Sequence, residues 1–195
     1  RVIRIVVPYG TGAVQDTIAR AISDELGQAL NASIVVENRA GAGGTVGTAQ
    51  VARATPDGNT LVLAAASHHI AGYLYKNLNY DPYKDFTGVA YVGNTGYIIL
   101  ASAALKAANT AEFIQAVKAK PGAYDYASAG NGSASHLGMA SFLTAAGAQM
   151  QHIPMKSTGD AVTELLAGRV AAVTAATIGV TGYRNDPRVC LLYTS

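Results

Sequence analysis

Four clusters of small residues, each directly after a short apolar run, constrain this chain more than any other feature. They are Tyr9 to Ala13, Ala40 to Thr45, Ser128 to Ser135 and Lys156 to Asp160. An apolar run that stops at such a loop and gives way to helical spacing is the strand-loop-helix unit of an α/β protein. Open α/β sheets bind their ligands outside the carboxyl ends of the strands, where these loops fall. The 21 glycines are concentrated there rather than spread as in a flexible linker.

The units read in order. Val2 to Val7 is a β-branched run stopping at Pro8, and Ile18, Ile22, Leu26 and Leu30 recur at helical spacing over 15–30. Ser33 to Glu37 is a second strand, followed by a helix from Thr45 to about Ala54. After the turn Thr55-Pro56-Asp57-Gly58, Thr60 to Ala65 is a third strand ending at Ser67-His68-His69. This order predicts a doubly wound parallel sheet with right-handed crossovers. Tyr80 to Phe86 is a polar, aromatic connector, and Val89 to Val92 and Tyr97 to Ala101 are extended runs. A second set begins with Thr110 as N-cap and Glu112 in the first turn, its helix stopping at Lys120-Pro121-Gly122. Strands at 124–127, 151–153 and 170–174 alternate with helices at 134–146 and 160–167, the helices closed by Gly147 and Gly168. With 195 residues, half of them hydrophobic, the chain is long enough for one large domain or two small ones. We expect a first lobe over 1–100 and a second over 101–187.

Composition removes several function classes. The net charge is +2, with no basic stripe of the kind that binds nucleic acid. No apolar run approaches the roughly 20 residues of a membrane-spanning helix. Cys190 is the single cysteine, so no internal disulfide forms, which suits a cytosolic and a periplasmic protein equally. The sequence opens at Arg1, consistent with a removed targeting segment or a fragment. His68, His69, His136 and His152 lack metal-ligand spacing, and no metal or cofactor is expected. Ser67-His68 and Ser135-His136 are adjacent in sequence, but adjacency is not triad geometry. Tyr126-Ala127-Ser128-Ala129-Gly130 lacks the first glycine of a nucleophile elbow, and Gly132-Ser133-Ala134-Ser135 lacks the second. No catalytic set emerges, and the chain reads as a monomeric binding protein.

The loops themselves point to an anion. A helix N-terminus leaves backbone N–H groups unpaired and carries about half a positive charge. Glycine and serine before it let an anion come close. Two loops fall in each lobe, which predicts a shared cleft for a small anion. Asp16, at the start of the first helix, reads as a helix-capping acid or as a group orienting loop amides or a ligand ammonium. The rival is a Rossmann-like nucleotide-dependent enzyme: Gly10-Thr11-Gly12 follows a strand, and Glu37 ends the next. Against it, Gln15 stands where the third glycine belongs, and Asp16 would face the pyrophosphate.

Five stretches carry a resemblance: Ile5-Val6-Val7-Pro8-Tyr9-Gly10-Thr11-Gly12-Ala13 with Asp16; Val36 to Gly44; Ala54 to Leu61; Tyr80 to Phe86; and Tyr126 to Leu137. In order and spacing, from Arg1 to about Thr174, they resemble the tripartite tricarboxylate transporter receptors, the TctC or Bug-type solute-binding proteins. The resemblance implies a periplasmic-binding-protein-like α/β fold of two doubly wound lobes about a central cleft, here with an incomplete first lobe. It also implies a periplasmic receptor that passes a carboxylate to membrane transporter subunits, with loops of both lobes closing over the ligand. Matching positions single out Tyr9, Gly12, Ala13, Asp16, Ser67, His68, Ala129, Asn131, Ser133, Lys156 and Gly159 as ligand-binding. Three positions depart from the pattern. Gly12-Ala13 replaces a glycine pair, Met155 replaces a tyrosine, and Ala175-Ala176-Thr177 replaces an acidic or polar cluster. Residues 188–195 fall where a strand returning to the first lobe would begin, and equally resemble translated adapter sequence. The ligand's identity stays open, tilted toward acids without an ammonium group.

Overall fold

The structure, a computed structural model, describes residues 1–192. Its contacts divide the chain into two compact units, 1–93 and Asn94 onward.

The first unit is a three-stranded parallel sheet in the order β2-β1-β3, formed by β1 (Val2–Val7), β2 (Ser33–Asn38) and β3 (Thr60–Val62). As the central strand, β1 buries Ile3, Ile5, Val6 and Val7, which is why the run is apolar almost throughout. The crossovers are α1 (Val14–Leu30) and α2 (Thr45–Ala52), and α3 (Ser67–Leu74) follows β3. α1 ends at Asn31, whose left-handed φ of 46° returns its N–H to the Gln28 and Gly27 carbonyls. Because all three strands run the same way, the loops at 8–13, 39–44 and 63–66 share one edge of this sheet.

The second unit is a five-stranded mixed sheet in the order β6-β5-β7-β4-β8. Its strands are β4 (Tyr97–Ser102), β5 (Asp125–Ser128), β6 (Gln151–Pro154), β7 (Ala172–Ala176) and β8 (Val189–Leu192). Its helices are α4 (Thr110–Ala119), α5 (Ala134–Ala146) and α6 (Thr158–Leu166). Two apolar clusters lie on this sheet: Leu100, Ala127, Leu165 and Val173 belong to one, and Phe113, Val117, Tyr126 and Met139 to the other. β5 pairs in parallel with β6 and β7, whereas β4 is antiparallel to both β7 and β8.

The α/β class expected from the sequence holds in both units, with differences in detail. The division falls before β4 rather than near residue 100, because β4 is laddered between β7 and β8. Ser67, His68 and His69 open α3 instead of ending a strand. Val89 to Val92 forms no strand: Val89 and Tyr91 are exposed, and an extended run without a partner has no ladder to join. The N-cap of α4 is Asn109, not Thr110; Asn109 Oδ1 accepts from the Glu112 N–H while Glu112 accepts from the Ala108 N–H. Of the segment 188–195, Val189–Leu192 is β8, and 193–195 lie outside the described residues.

Candidate functional site

In the first unit, Gly10-Thr11-Gly12-Ala13 closes a turn in which the Ala13 N–H donates to the Gly10 carbonyl at 3.2 Å. Gly12 holds φ at +83°, a conformation that disfavours any residue with a Cβ. Its N–H donates to Asp16 Oδ2 at 3.0 Å, so the helix's own acid reaches back and pins the turn. Asp16 is buried and its Oδ1 accepts from Arg20 Nε at 2.9 Å. Burial works to raise the Asp16 pKa. The Gly12 amide, the Asn38 side chain and the Arg20 guanidinium outweigh it and hold the carboxyl below its ordinary value. Arg20 also donates to Asn38 Oδ1, and Asn38 Nδ2 donates to the Tyr9 carbonyl. The buried Tyr9 hydroxyl is hydrogen-bonded to Ser67 Oγ at the start of α3 and to the Gly43 carbonyl. One network therefore ties together the loops after all three strands.

His68, next in α3, is buried and hydrogen-bonded through Nε2 to the Pro82 carbonyl at 2.8 Å. A carbonyl only accepts, so Nε2 carries the proton. Burial lowers the His68 pKa and keeps the ring neutral. With Gly43, Gly44, Thr48, Ser67 and Tyr80 it lines a small recess under the loops.

The second unit repeats the device. Gly130-Asn131-Gly132-Ser133 closes the same turn, with the Ser133 N–H on the Gly130 carbonyl at 3.2 Å and Gly132 at φ +77°. The Gly132 N–H donates to His136 Nδ1 at 3.0 Å. Gly10-x-Gly12-Ala13-x-x-Asp16 and Gly130-x-Gly132-Ser133-x-x-His136 thus share one spacing and one hydrogen-bond plan, with an acid in one and an imidazole in the other. Asp16 acts here as the loop-orienting acid that the sequence offered beside the capping reading, whereas nothing in the sequence analysis gave His136 the matching role. The matched spacing was the available signal. Ser133, in the N-cap position, accepts from the His136 N–H, and Ser135 Oγ accepts from the Ala129 N–H. The Met155 N–H on the Ser128 carbonyl, at 2.8 Å, brings the following loop alongside. That loop carries exposed Lys156, and Ser157 caps α6 ahead of Gly159.

The structure thus groups Tyr9, Gly12, Ala13, Asp16, Ser67 and His68 at one sheet edge of the first unit. It groups Ala129, Asn131, Ser133, Lys156 and Gly159 at one edge of the second. Two of the amides singled out are already taken, Gly12 by Asp16 and Ala13 by Gly10. The first turn of α1 remains, and Ala13 offers it no side-chain cap. The helices of the second unit are each capped by a side chain, from Asn109, Ser133 and Ser157. We expect Ser133→Ala to cost about 1 kcal/mol in urea unfolding, as loss of a serine cap usually does.

Hydrolytic chemistry finds no footing in the adjacent pairs. Ser67 bonds Tyr9 while His68 bonds Pro82, and Ser135 bonds Ala129 while His136 bonds Gly132. A Ser–His hydrogen bond does form between Ser128 Oγ and His152 Nε2 at 2.6 Å, but Ser128 is fully buried. Among the described residues no group of three or more His, Cys, Asp or Glu is placed to hold a metal, and no helix is long and apolar enough to cross a membrane.

The profile of the family described as "Tripartite tricarboxylate transporter family receptor" matches residues 18–194. The chain belongs to that family. Protein BugT of Bordetella pertussis is 36% identical over 174 residues, 88% of this chain and 53% of BugT. The periplasmic binding protein BugD superposes with a TM-score of 0.93 at 35% identity, over 97% of this chain and 64% of BugD. MatC of Rhodopseudomonas palustris, solved with bound malate, gives 0.91 at 31% identity, over 98% and 65%. Rpa4515 of R. palustris, solved with adipate, gives 0.93 at 25% identity, over 98% and 64%. The chain spans about half the length of the curated relatives it matches. The α/β fold is that of the periplasmic binding proteins, and the family's members are solute-binding proteins rather than enzymes. As a receptor-family loop, Gly10 to Ala13 differs from a dinucleotide site in one decisive contact: the amide a pyrophosphate would use is held by Asp16.

Proposed function

We propose that this chain is the recognition portion of a periplasmic receptor for a small dicarboxylate, and that the receptor delivers its ligand to membrane transporter subunits. The observation that carries the reading is the twice-used turn, in which Asp16 and His136 each fix a glycine amide just ahead of a helix N-terminus. A pinned turn holds the first-turn amides of α1 and α5 in place before a ligand arrives, which lowers the ordering cost of binding. Those amides and the local helix dipole suit a carboxylate. Malate in MatC and adipate in Rpa4515 are both diacids, which supports two carboxylate subsites. In this proposal Tyr9, Gly12, Ala13, Asp16, Ser67 and His68 shape the first subsite, and Ala129, Asn131, Ser133, Lys156 and Gly159 the second. Gly12 and Asp16 act by holding the turn, and the ligand oxygens meet the amides at the start of α1. Binding of this kind needs no covalent chemistry.

The test is titration calorimetry with malate and adipate against their diamides. A charge-assisted hydrogen bond is worth about 1.5–3 kcal/mol, so a diamide should bind at least about tenfold more weakly than its acid. Equal affinity for acid and diamide, or heat from neither acid, would remove the carboxylate reading.

A further inference from the structure

Behind the loop 128–133 three aromatic rings stack, and of these the proposed binding step uses only His136, as the acceptor of the Gly132 N–H. His136 on α5 and His152 on β6 lie face to face, their centroids 4.0 Å apart and their planes 17° apart. Tyr126 of β5 stacks on His152 at 5.0 Å and on His136 at 6.5 Å. Both imidazoles are tied to the loop. His136 Nδ1 accepts from the Gly132 N–H, and His152 Nε2 is bonded to Ser128 Oγ, which also accepts from the Gly130 N–H.

The hydrogen at Gly132 sets the protonation state of His136. An amide N–H can only donate, so Nδ1 must present a lone pair, and the ring proton sits on Nε2. A second proton would have to enter at Nδ1. It would remove the acceptor and set a cationic nitrogen against the amide hydrogen.

We infer that His136 is a positioning residue that holds the carboxylate-binding loop 128–133 through its neutral Nδ1, and that His152, stacked on it, makes the pair an acid-triggered release for that loop. This inference rests on the reading of 128–133 as a ligand loop. The groups facing the pair are Tyr126 and Ser128 from β5, His136 from α5 and His152 from β6. Among the described residues no carboxylate, ammonium or guanidinium makes a hydrogen bond or ion pair with either imidazole. Burial, then the charge of His136, pushes the His152 pKa down to about 4, and burial lowers that of His136. Tyr126, raised by burial, stays neutral across the relevant range. Two cations cannot sit 4.0 Å apart cheaply, so the pair titrates as a unit. The sign follows: both rings are neutral in the folded protein, and the unfolded chain takes up protons first. Stability and loop order are complete above the ordinary histidine pKa of 6.5 and are lost as pH falls toward 4.

The experiment is NMR on the ligand-free protein from pH 7 to pH 3.5, following the imidazole nitrogens and the exchange protection of the Gly132 amide. At pH 7 His136 should be the Nε2–H tautomer. Gly132 protection should fall at least about tenfold across the imidazole titration, while Ala127 and Val173, in the sheet, stay protected. His136→Asn places an oxygen where Nδ1 lies and cannot titrate. It should protect Gly132 at pH 7 and abolish the acid step. His136→Phe should lose protection, and about tenfold in malate affinity, already at pH 7. An Nδ1–H tautomer, a Gly132 amide indifferent to pH, or an unchanged acid step in His136→Asn would overturn the inference. Malate failing to bind at pH 7 while the Gly132 step remains would overturn the carboxylate reading and leave this inference standing. The wild-type titration and His136→Asn decide the matter if the phenylalanine variant does not fold.

Discussion

Asp16→Ala should lower unfolding stability by about 2–3 kcal/mol and weaken malate binding at least about tenfold. Three contacts are lost, and their magnitudes differ. Arg20 is half-exposed, so its pairing with Asp16 is screened by water and contributes about 1 kcal/mol at most. The Gly12 N–H is a charge-assisted donor to a buried carboxylate, worth about 1.5–3 kcal/mol. Asn38, hydrogen-bonded to Asp16 as well, loses that partner and the fixed position of Arg20, which loosens its hold on the Tyr9 carbonyl. Asp16→Asn keeps an oxygen for Gly12 without the charge and should show about half the loss. Arg20→Ala should be milder than either. The depressed Asp16 pKa adds a pH signature. Its contribution is complete above the ordinary carboxylate value and disappears as pH falls through the lower folded value, a window that Asp16→Ala should flatten. Urea curves that place Asp16→Ala within about 0.5 kcal/mol of wild type would show that the turn holds itself.

The strand-loop-helix units were legible because each rests on local chemistry. A buried central strand such as β1 must be apolar on both faces, and the helix after it must show its inward residues at helical spacing. The positions where sequence reasoning fell short are settled by distant partners. Nothing within Tyr97 to Ser102 reveals that β4 will be antiparallel to β7 and β8; the ladder belongs to residues far along the chain. Val89 to Val92 has strand-like composition but no neighbouring strand. At the site, the loops could be located from glycine and serine alone. Which amides were free could not, because the Gly12 and Gly132 N–H groups are consumed by side chains four residues on. That spacing was visible twice in the sequence, and the difference between Asp16 and His136 disguised it.

Gly47 and Gly138 make the same point about context, since the same substitution in the two helices should change stability in opposite directions. In a helix interior, replacing glycine by alanine is ordinarily favourable by about 1 kcal/mol, because the unfolded chain has less freedom to lose. Gly138, on the exposed side of α5, has room: an added Cβ meets only the Thr174 methyl, at 3.5 Å. Gly138→Ala should therefore stabilise by about 0.5–1 kcal/mol. Gly47 in α2 has none. A Cβ there would lie 2.7 Å from the Arg39 carbonyl oxygen and 3.0 Å from the Pro8 Cα, both backbone atoms that no rotamer change can move aside. Overpacking of this kind costs about 1–3 kcal/mol, which outweighs the helix gain, and Gly47→Ala should be destabilising by about 1 kcal/mol net. The strain also has a direction. Pro8 immediately precedes Tyr9, whose hydroxyl bridges Gly43 and Ser67, so lifting α2 off Pro8 displaces the loops after all three strands together. Malate affinity should accordingly fall about tenfold in Gly47→Ala and stay unchanged in Gly138→Ala. Chemical denaturation of the two variants reads the sign directly. If both alanines stabilise, the close seating of α2 on the Pro8–Arg39 backbone is wrong, and with it the account of how the first subsite is held.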